Sequence, residues 1–209
     1  LDAPERGFRF SEETADVTPL DMRMDQRLPA TAADLLSSAS AAEIERWLRE
    51  YGELPGAHRL ALAIDEARRS APLRTVRDLL RVVERARVGG GRRHHPATLV
   101  FQALRIAVND ELGALADAID AAIDSLAPGG RLAVIAYHSL EDRLVKQRLR
   151  AEARGCVCPP RQPVCTCGRK PRVRIVTPRA VRASVEELRE NPRARSARLR
   201  VAERLPEAA

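Results

Sequence analysis

The chain has 209 residues, 44% of them hydrophobic, which is enough to bury the core of one large domain or of a core with a smaller insert. No apolar run approaches the roughly 18 residues that a membrane span needs, and the N-terminus lacks the basic, apolar and small-residue order of a signal peptide, so a cytoplasmic globular protein is expected. The net charge of +7 is unevenly spread, because residues 143–204 hold 18 of the 36 Lys and Arg but 5 of the 29 acids, a density of cations suited to phosphate backbones.

Residues 1–29 carry Pro4, Gly7, Pro19 and Pro29 without sustained periodicity and read as an ordered loop between larger elements. Leu1, standing where translation normally places Met, reads as the start of a fragment of something longer. Three helix starts follow. Thr31 with Asp34, Ser40 with Glu43, and Thr75 with Asp78 each set a hydroxyl three residues before a carboxylate, the spacing that satisfies free amides at a helix N-terminus. Ile44, Trp47, Leu48 and Tyr51 share one helical face, as do Leu60, Ile64 and Ala67, and then Leu79, Leu80 and Val83. About four short helices therefore pack together before Arg87. Gly89 to Gly91, followed by Arg92, Arg93, His94 and His95, read as a solvated basic hinge, with RNA contact as the alternative.

Pro96 suits a first helical turn, and an apolar stripe from Val100 through Val108 to Leu126 predicts one long helix, straight or kinked, that ends at Pro128. Leu132 to Tyr137 is a continuous apolar run too short for a helix, and it predicts a central parallel strand buried on both faces. Ser139, with Asp142 three residues on, is expected to cap the next helix, so that His138 and Ser139 occupy the turn beyond a strand end. In open α/β sheets that is where ligands bind. Val173 to Val176 and Leu199 to Glu203 are further predicted strands, with a capped helix over residues 184–190 between them.

Cys156, Cys158, Cys165 and Cys167 place every cysteine of the chain within twelve positions. Four thiolates closing a structural tetrahedral zinc site is one reading, and a loop of reduced cysteines near an RNA surface is the other. Arg193, Arg195 and Arg198, beside Pro192 and with Glu190 and Glu203 as the nearby acids, are candidate phosphate contacts. The prolines of this region break any wide apolar face that a membrane-surface helix would need, and six aromatics in all are too few for broad base stacking.

Five ordered stretches together resemble the MraW, or RsmH, family of bacterial ribosomal RNA methyltransferases. They are ERGFRF at residues 5–10, PLDMRMD at 19–25, HPATLVFQALRIAVN at 95–109, LAPGGRLAVIAYHSLEDRLVK at 126–146 and NPRARSARLRVAER at 191–204. The resemblance implies a class I, Rossmann-like α/β methyltransferase core, incomplete here, interrupted by an all-helical insert that recognises substrate. On this expectation residues 1–25 are a core loop region, 26–93 the insert, and 94–209 the C-terminal part of the core with its basic tail. The family moves a methyl group from S-adenosyl-L-methionine to the N4 of a cytidine in the decoding region of 16S rRNA, in the small ribosomal subunit. Its glycine-rich cofactor turn and the acids that hold the cofactor would precede Leu1, so no cofactor-binding residue is expected in this chain and the chain alone is expected to be inactive. Leu99 and Val100, where the family usually has Arg and Thr, and residues 54–56, in place of a charged helical stretch, depart from the pattern.

Cytosine N4 is a poor nucleophile because its lone pair is delocalised into the ring. An enzyme helps by holding the amine against the methyl group and accepting one of its protons. His138 is the candidate acceptor or orienting group, since an imidazole titrates near neutrality, and hydrogen bonding to neighbouring backbone is the competing role. Asp21 and Arg23, with Asp25, either line the same crevice or form an internal ion-pair cluster. Two other readings of the whole chain are a non-catalytic RNA-binding relative and, less well supported by the cysteine spacing, a zinc-dependent DNA-binding regulator.

Overall fold

A computed structural model describes residues 6–8, 14–89, 96–156, 158–159, 162 and 164–206. All of the predicted hinge Gly89 to His95 except Gly89, together with Leu1 and with Glu5, Arg9 and Phe10 of the first family stretch, lies outside the described residues. The chain divides into two compact units, Leu1–Glu111 and Leu112–Ala209.

The first unit contains α1 (Ala32–Ser38), α2 (Ala41–Glu50), α3 (Ala57–Ser70), α4 (Val76–Ala86) and α5 (Pro96–Asn109). Thr31, Ser40 and Thr75 are the N-caps of α1, α2 and α4, and each closes a reciprocal box with the acid three residues on. The four helices before Arg87 are those the apolar spacing predicts. Their inner faces meet in one core that includes Leu36, Ile44, Leu48, Leu60, Ile64, Leu79 and, from α5, Leu104. Gly52 lets α5 approach the end of α2, because a Cβ there would lie 2.7 Å from the Leu48 carbonyl and 2.9 Å from that of Leu99. Among the residues that depart from the family pattern, Gly56 precedes α3 in the left-handed region at φ 84°.

The loop ahead of α1 is described from Thr14 to Thr31. Met22 is fully buried with φ 62°, a conformation that costs a β-carbon residue energy and is held here by its surroundings. Asn109, at the end of α5, donates from Nδ2 to the Met22 carbonyl at 2.8 Å and accepts from the Met24 amide at 2.7 Å. Two family stretches, PLDMRMD and HPATLVFQALRIAVN, are thereby stapled to each other.

The predicted single long helix is two. Asp110 takes φ 45° and ends α5, and α6 (Glu111–Ser125) begins at the next residue. The apolar stripe runs on across the break, and Asp tolerates the left-handed conformation that makes it.

The second unit continues with β1 (Arg131–Ala136), α7 (Ser139–Ala153), β2 (Val173–Ile175), α8 (Val185–Glu190) and β3 (Arg198–Arg204), with a 3-10 turn at Pro192–Ser196. The sheet has the order β1-β3-β2, and both pairings are antiparallel, with Leu132 opposite Ala202 and Val173 opposite Arg204. The parallel, doubly buried β1 expected from sequence is not what forms. Leu132, Val134 and Ala136 turn inward, whereas Ile135 and Tyr137 are more than half exposed. An apolar run states that a strand is suited to burial, but it does not state the direction of its partner or what covers each face. Ile119, Ile123, Val145, Leu149, Val173 and Ala202 form the core of this unit.

Candidate nucleic-acid interface

The turn after β1 is built around its histidine. His138, not Ser139, is the N-cap of α7. Its Nδ1 accepts from the Glu141 amide at 3.3 Å, and the Glu141 carboxylate accepts from the amides of Tyr137 at 2.8 Å and His138 at 3.2 Å. Glu141 therefore takes the box position that sequence spacing gave to Asp142. To accept this bond Nδ1 must present its lone pair to the amide. The ring is largely buried, with Nε2 3.4 Å from the Glu141 carboxylate.

Asp142 is instead the one buried charged residue among the described residues. It receives Arg200 through Nε at 2.6 Å and Nη2 at 3.1 Å, and Arg198 through Nη1 at 3.0 Å. The Arg200 hydrogen bonds, helped by Arg198 and opposed by burial, hold its carboxyl below the usual range. Helix α7 is thus fixed to β3 by a forked ion pair.

Around that pair opens a crevice of about 460 Å³ lined by Asp142, Lys146, Arg150, Arg179, Arg182, Arg198 and Arg200, with Pro178 and Ala180. Six cations face one carboxylate, and that carboxylate is already taken up by Arg198 and Arg200. Among the described residues no carboxylate engages Lys146, Arg150, Arg179 or Arg182. An excess of positive charge on concave, low-dielectric walls focuses potential outward and attracts anions.

Of the three arginines singled out in sequence, Arg198 lines this crevice and is neutralised in part by Asp142, an acid 56 positions away. Arg193 and Arg195 sit exposed on the 3-10 turn before β3 and are not among the crevice residues. Lys146, Arg150, Arg179, Arg182 and Arg200 went unnoticed. Part of the signal was present: Asp142, Lys146 and Arg150 follow one another at four-residue spacing on one face of α7, and Arg198 and Arg200 share one face of β3.

Asp21 and Arg23 lie in the first unit and are joined to each other. Arg23 forks onto the Asp21 carboxylate through Nε at 2.7 Å and Nη2 at 3.0 Å, and its Nη1 donates to the Gln26 and Leu28 carbonyls. The Arg23 side chain, against a desolvation penalty, lowers the Asp21 carboxyl below its ordinary value. Asp25 pairs likewise with Arg27 at 2.8 Å. The internal ion-pair reading of this loop describes its geometry.

The four cysteine sulfurs lie within 4.8 Å of one another. The Cys158 amide donates to the Cys156 sulfur and favours its thiolate, but crowding by Cys165, Cys158 and Cys167 outweighs this and the Cys156 thiol is pushed up to about 12.

The sequence model of the MraW methylase family matches residues 1–205. The chain belongs to that family. It is 50% identical over 207 residues to the protein named ribosomal RNA small subunit methyltransferase H of Heliobacterium modesticaldum, covering 98% of this chain and 65% of that one. The protein of the same name from Thermomicrobium roseum is 53% identical over 204 residues, covering 97% and 61%, and that of Solidesulfovibrio magneticus 52% identical over 212 residues, covering 100% and 64%. The chain thus spans 61–65% of the length of these MraW relatives. No described helix is long and apolar enough to cross a membrane.

Proposed function

We propose that this chain is part of a cytoplasmic S-adenosyl-L-methionine-dependent methyltransferase that modifies the N4 of a cytidine in the decoding region of 16S rRNA, and that its second unit supplies the RNA-binding surface. The observation that carries the reading is the crevice around Asp142, where four cations with no carboxylate partner among the described residues stand beside two arginines held in place by one. A buried, forked acid fixes Arg198 and Arg200 in position, and fixed guanidiniums lose less entropy when a phosphate arrives. Arg193 and Arg195, exposed on the neighbouring turn, extend the same surface.

The exposed face of β1 supports a larger α/β core, with residues 26–93 as the helical insert and 94–209 as the C-terminal part. A strand made of Leu132, Ala133, Val134 and Ile135 is suited to cover on both faces. His138 stands at its carboxyl end, where it orients the substrate amine. Among the described residues, the strand that leads directly into a helix, β1 into α7, does so through Tyr137 and His138 without a glycine, and this turn does not fit the cradle that S-adenosyl-L-methionine needs.

The test is binding of 16S rRNA to this chain across a salt series. Reversing Lys146, Arg150 and Arg182 to Glu together should reduce the slope of log affinity against log salt by about 3 and weaken binding to unrelated RNA equally. An unchanged slope would remove the crevice from the interface. Methyl transfer is read separately, from labelled S-adenosyl-L-methionine to 16S rRNA with the longer protein. RNA binding without transfer would favour the alternative of a non-catalytic RNA-binding relative.

A further inference from the structure

We propose that Cys156, Cys158, Cys165 and Cys167 bind a single zinc ion as a tetrathiolate, closing the excursion of the chain between α7 and β2. The Sγ separations are 3.4 Å for Cys156 to Cys165, 3.5 Å for Cys165 to Cys167, 3.8 Å for Cys156 to Cys167 and 3.9 Å for Cys158 to Cys165. Four sulfurs at about 2.3 Å from a central ion in a tetrahedron stand about 3.8 Å apart, so these spacings are those of four ligands around one centre. Two disulfides would pair the sulfurs two by two. Here Cys165 has three sulfur neighbours within 3.9 Å and Cys156 at least two, an arrangement that pairing does not explain.

Among the described residues of the excursion, Cys156, Cys165 and Cys167 are exposed and Val164 is 71% exposed, so burial of these side chains does not draw the thiols together. Its two ends are anchored: the Arg172 amide donates to the Glu152 carbonyl at 2.8 Å, and Arg169 and Arg172 both reach the Glu152 carboxylate. Between those feet, Gly168 turns the chain at φ 60° directly after the last cysteine, and the Cys158 amide points at the Cys156 sulfur, an N–H···S bond of the kind that stabilises a bound thiolate.

Soft thiolate donors at tetrahedral spacing select zinc, and sulfurs this close surround one ion, not a cluster of several. Four thiolates leave no coordination position open, so the ion is structural. Its site carries net negative charge, and Arg154, Arg169 and Lys170 stand in the adjoining sequence to offset it.

The experiment is metal analysis of the full chain purified without chelator, together with cobalt(II) titration of the metal-stripped protein. One equivalent of zinc, lost in the C158S/C165S double variant, and saturation at one equivalent of cobalt with intense tetrahedral d–d and thiolate charge-transfer bands are expected. Stripping should also speed proteolysis between Arg154 and Lys170. Substoichiometric zinc with no charge-transfer bands, iron in place of zinc, or intramolecular disulfides found by mass in protein purified under reducing conditions would each overturn the proposal. The cobalt titration uses the unmodified chain, so it decides even where the double variant does not fold.

Discussion

Up to Glu111 the carboxylates of Asp34, Glu43 and Asp78 close capping boxes with hydroxyls three residues away, whereas beyond Leu112 those of Asp142, Glu152 and Glu203 each hold two arginines from elsewhere in the chain. Glu203 reaches Arg174 and Arg131, 29 and 72 positions away, and Asp142 reaches Arg198 and Arg200, 56 and 58 away. The apolar cores differ in the same sense. Among the described residues, five helices contribute to the first core, and six buried residues make up the second. One unit is held chiefly by burial, and the carboxylates at its helix starts are satisfied within one turn. The other joins a thin core with long-range ion pairs, and two of the arginines proposed for RNA contact, Arg198 and Arg200, also serve as its ties.

That contrast is open to attack first at the cores. Leu60→Ala in the first unit removes a side chain with no exposure and should cost about 2–5 kcal/mol, read as lost hydrogen-exchange protection of α3. Asp142→Ala should cost the second unit about 3 kcal/mol, because Arg200 is left with a largely buried and unpaired charge, and the protection of α7 and β3 should fall. If α7 and β3 keep their protection, the fork is an ornament of the fold and the comparison fails.

Acid sharpens the same point. Asp142 is lowered from its ordinary value, so its contribution is present in full above about pH 4, the range of an unfolded carboxyl, and is lost as pH falls through the lower folded value. Acidification should therefore loosen the α7 to β3 link. In Asp142→Asn the pH dependence of that link should flatten. Asp34→Ala, by comparison, breaks a local box and should cost about 1 kcal/mol, confined to fraying of α1.

What was legible in the sequence follows the range of the interactions. Thr31, Ser40 and Thr75 announced their helices because box and cap lie within one turn, and β2, α8 and β3 were found within a few residues for similar reasons. The break at Asp110 was missed, since the apolar stripe records which face is buried and not the φ angle of one residue. The direction of β1 was missed because its partner β3 begins 62 positions later. The crevice was half visible: the Asp142, Lys146, Arg150 stripe and the Arg198, Arg200 pair can each be read locally, but nothing local brings the helix face to the strand face. Asp142 itself was assigned to Ser139 by a spacing rule that also fits His138 with Glu141, and the two registers differ by a single residue.

That register provides the finest test. His138→Ala removes the acceptor for the Glu141 amide and should destabilise α7 by about 1 kcal/mol, read by thermal unfolding of the second unit. His138→Asn keeps a good N-cap acceptor but abolishes the imidazole, so it should restore stability in full. The Asn variant separates the two roles that sequence left open. Placed in the longer protein, it should still lower single-turnover methyl transfer if the ring orients the substrate amine, since an amide side chain does not exchange protons near neutral pH. Restored stability with an unchanged rate would assign His138 to the cap alone, and the chemistry of the turn would then have to come from residues other than its imidazole.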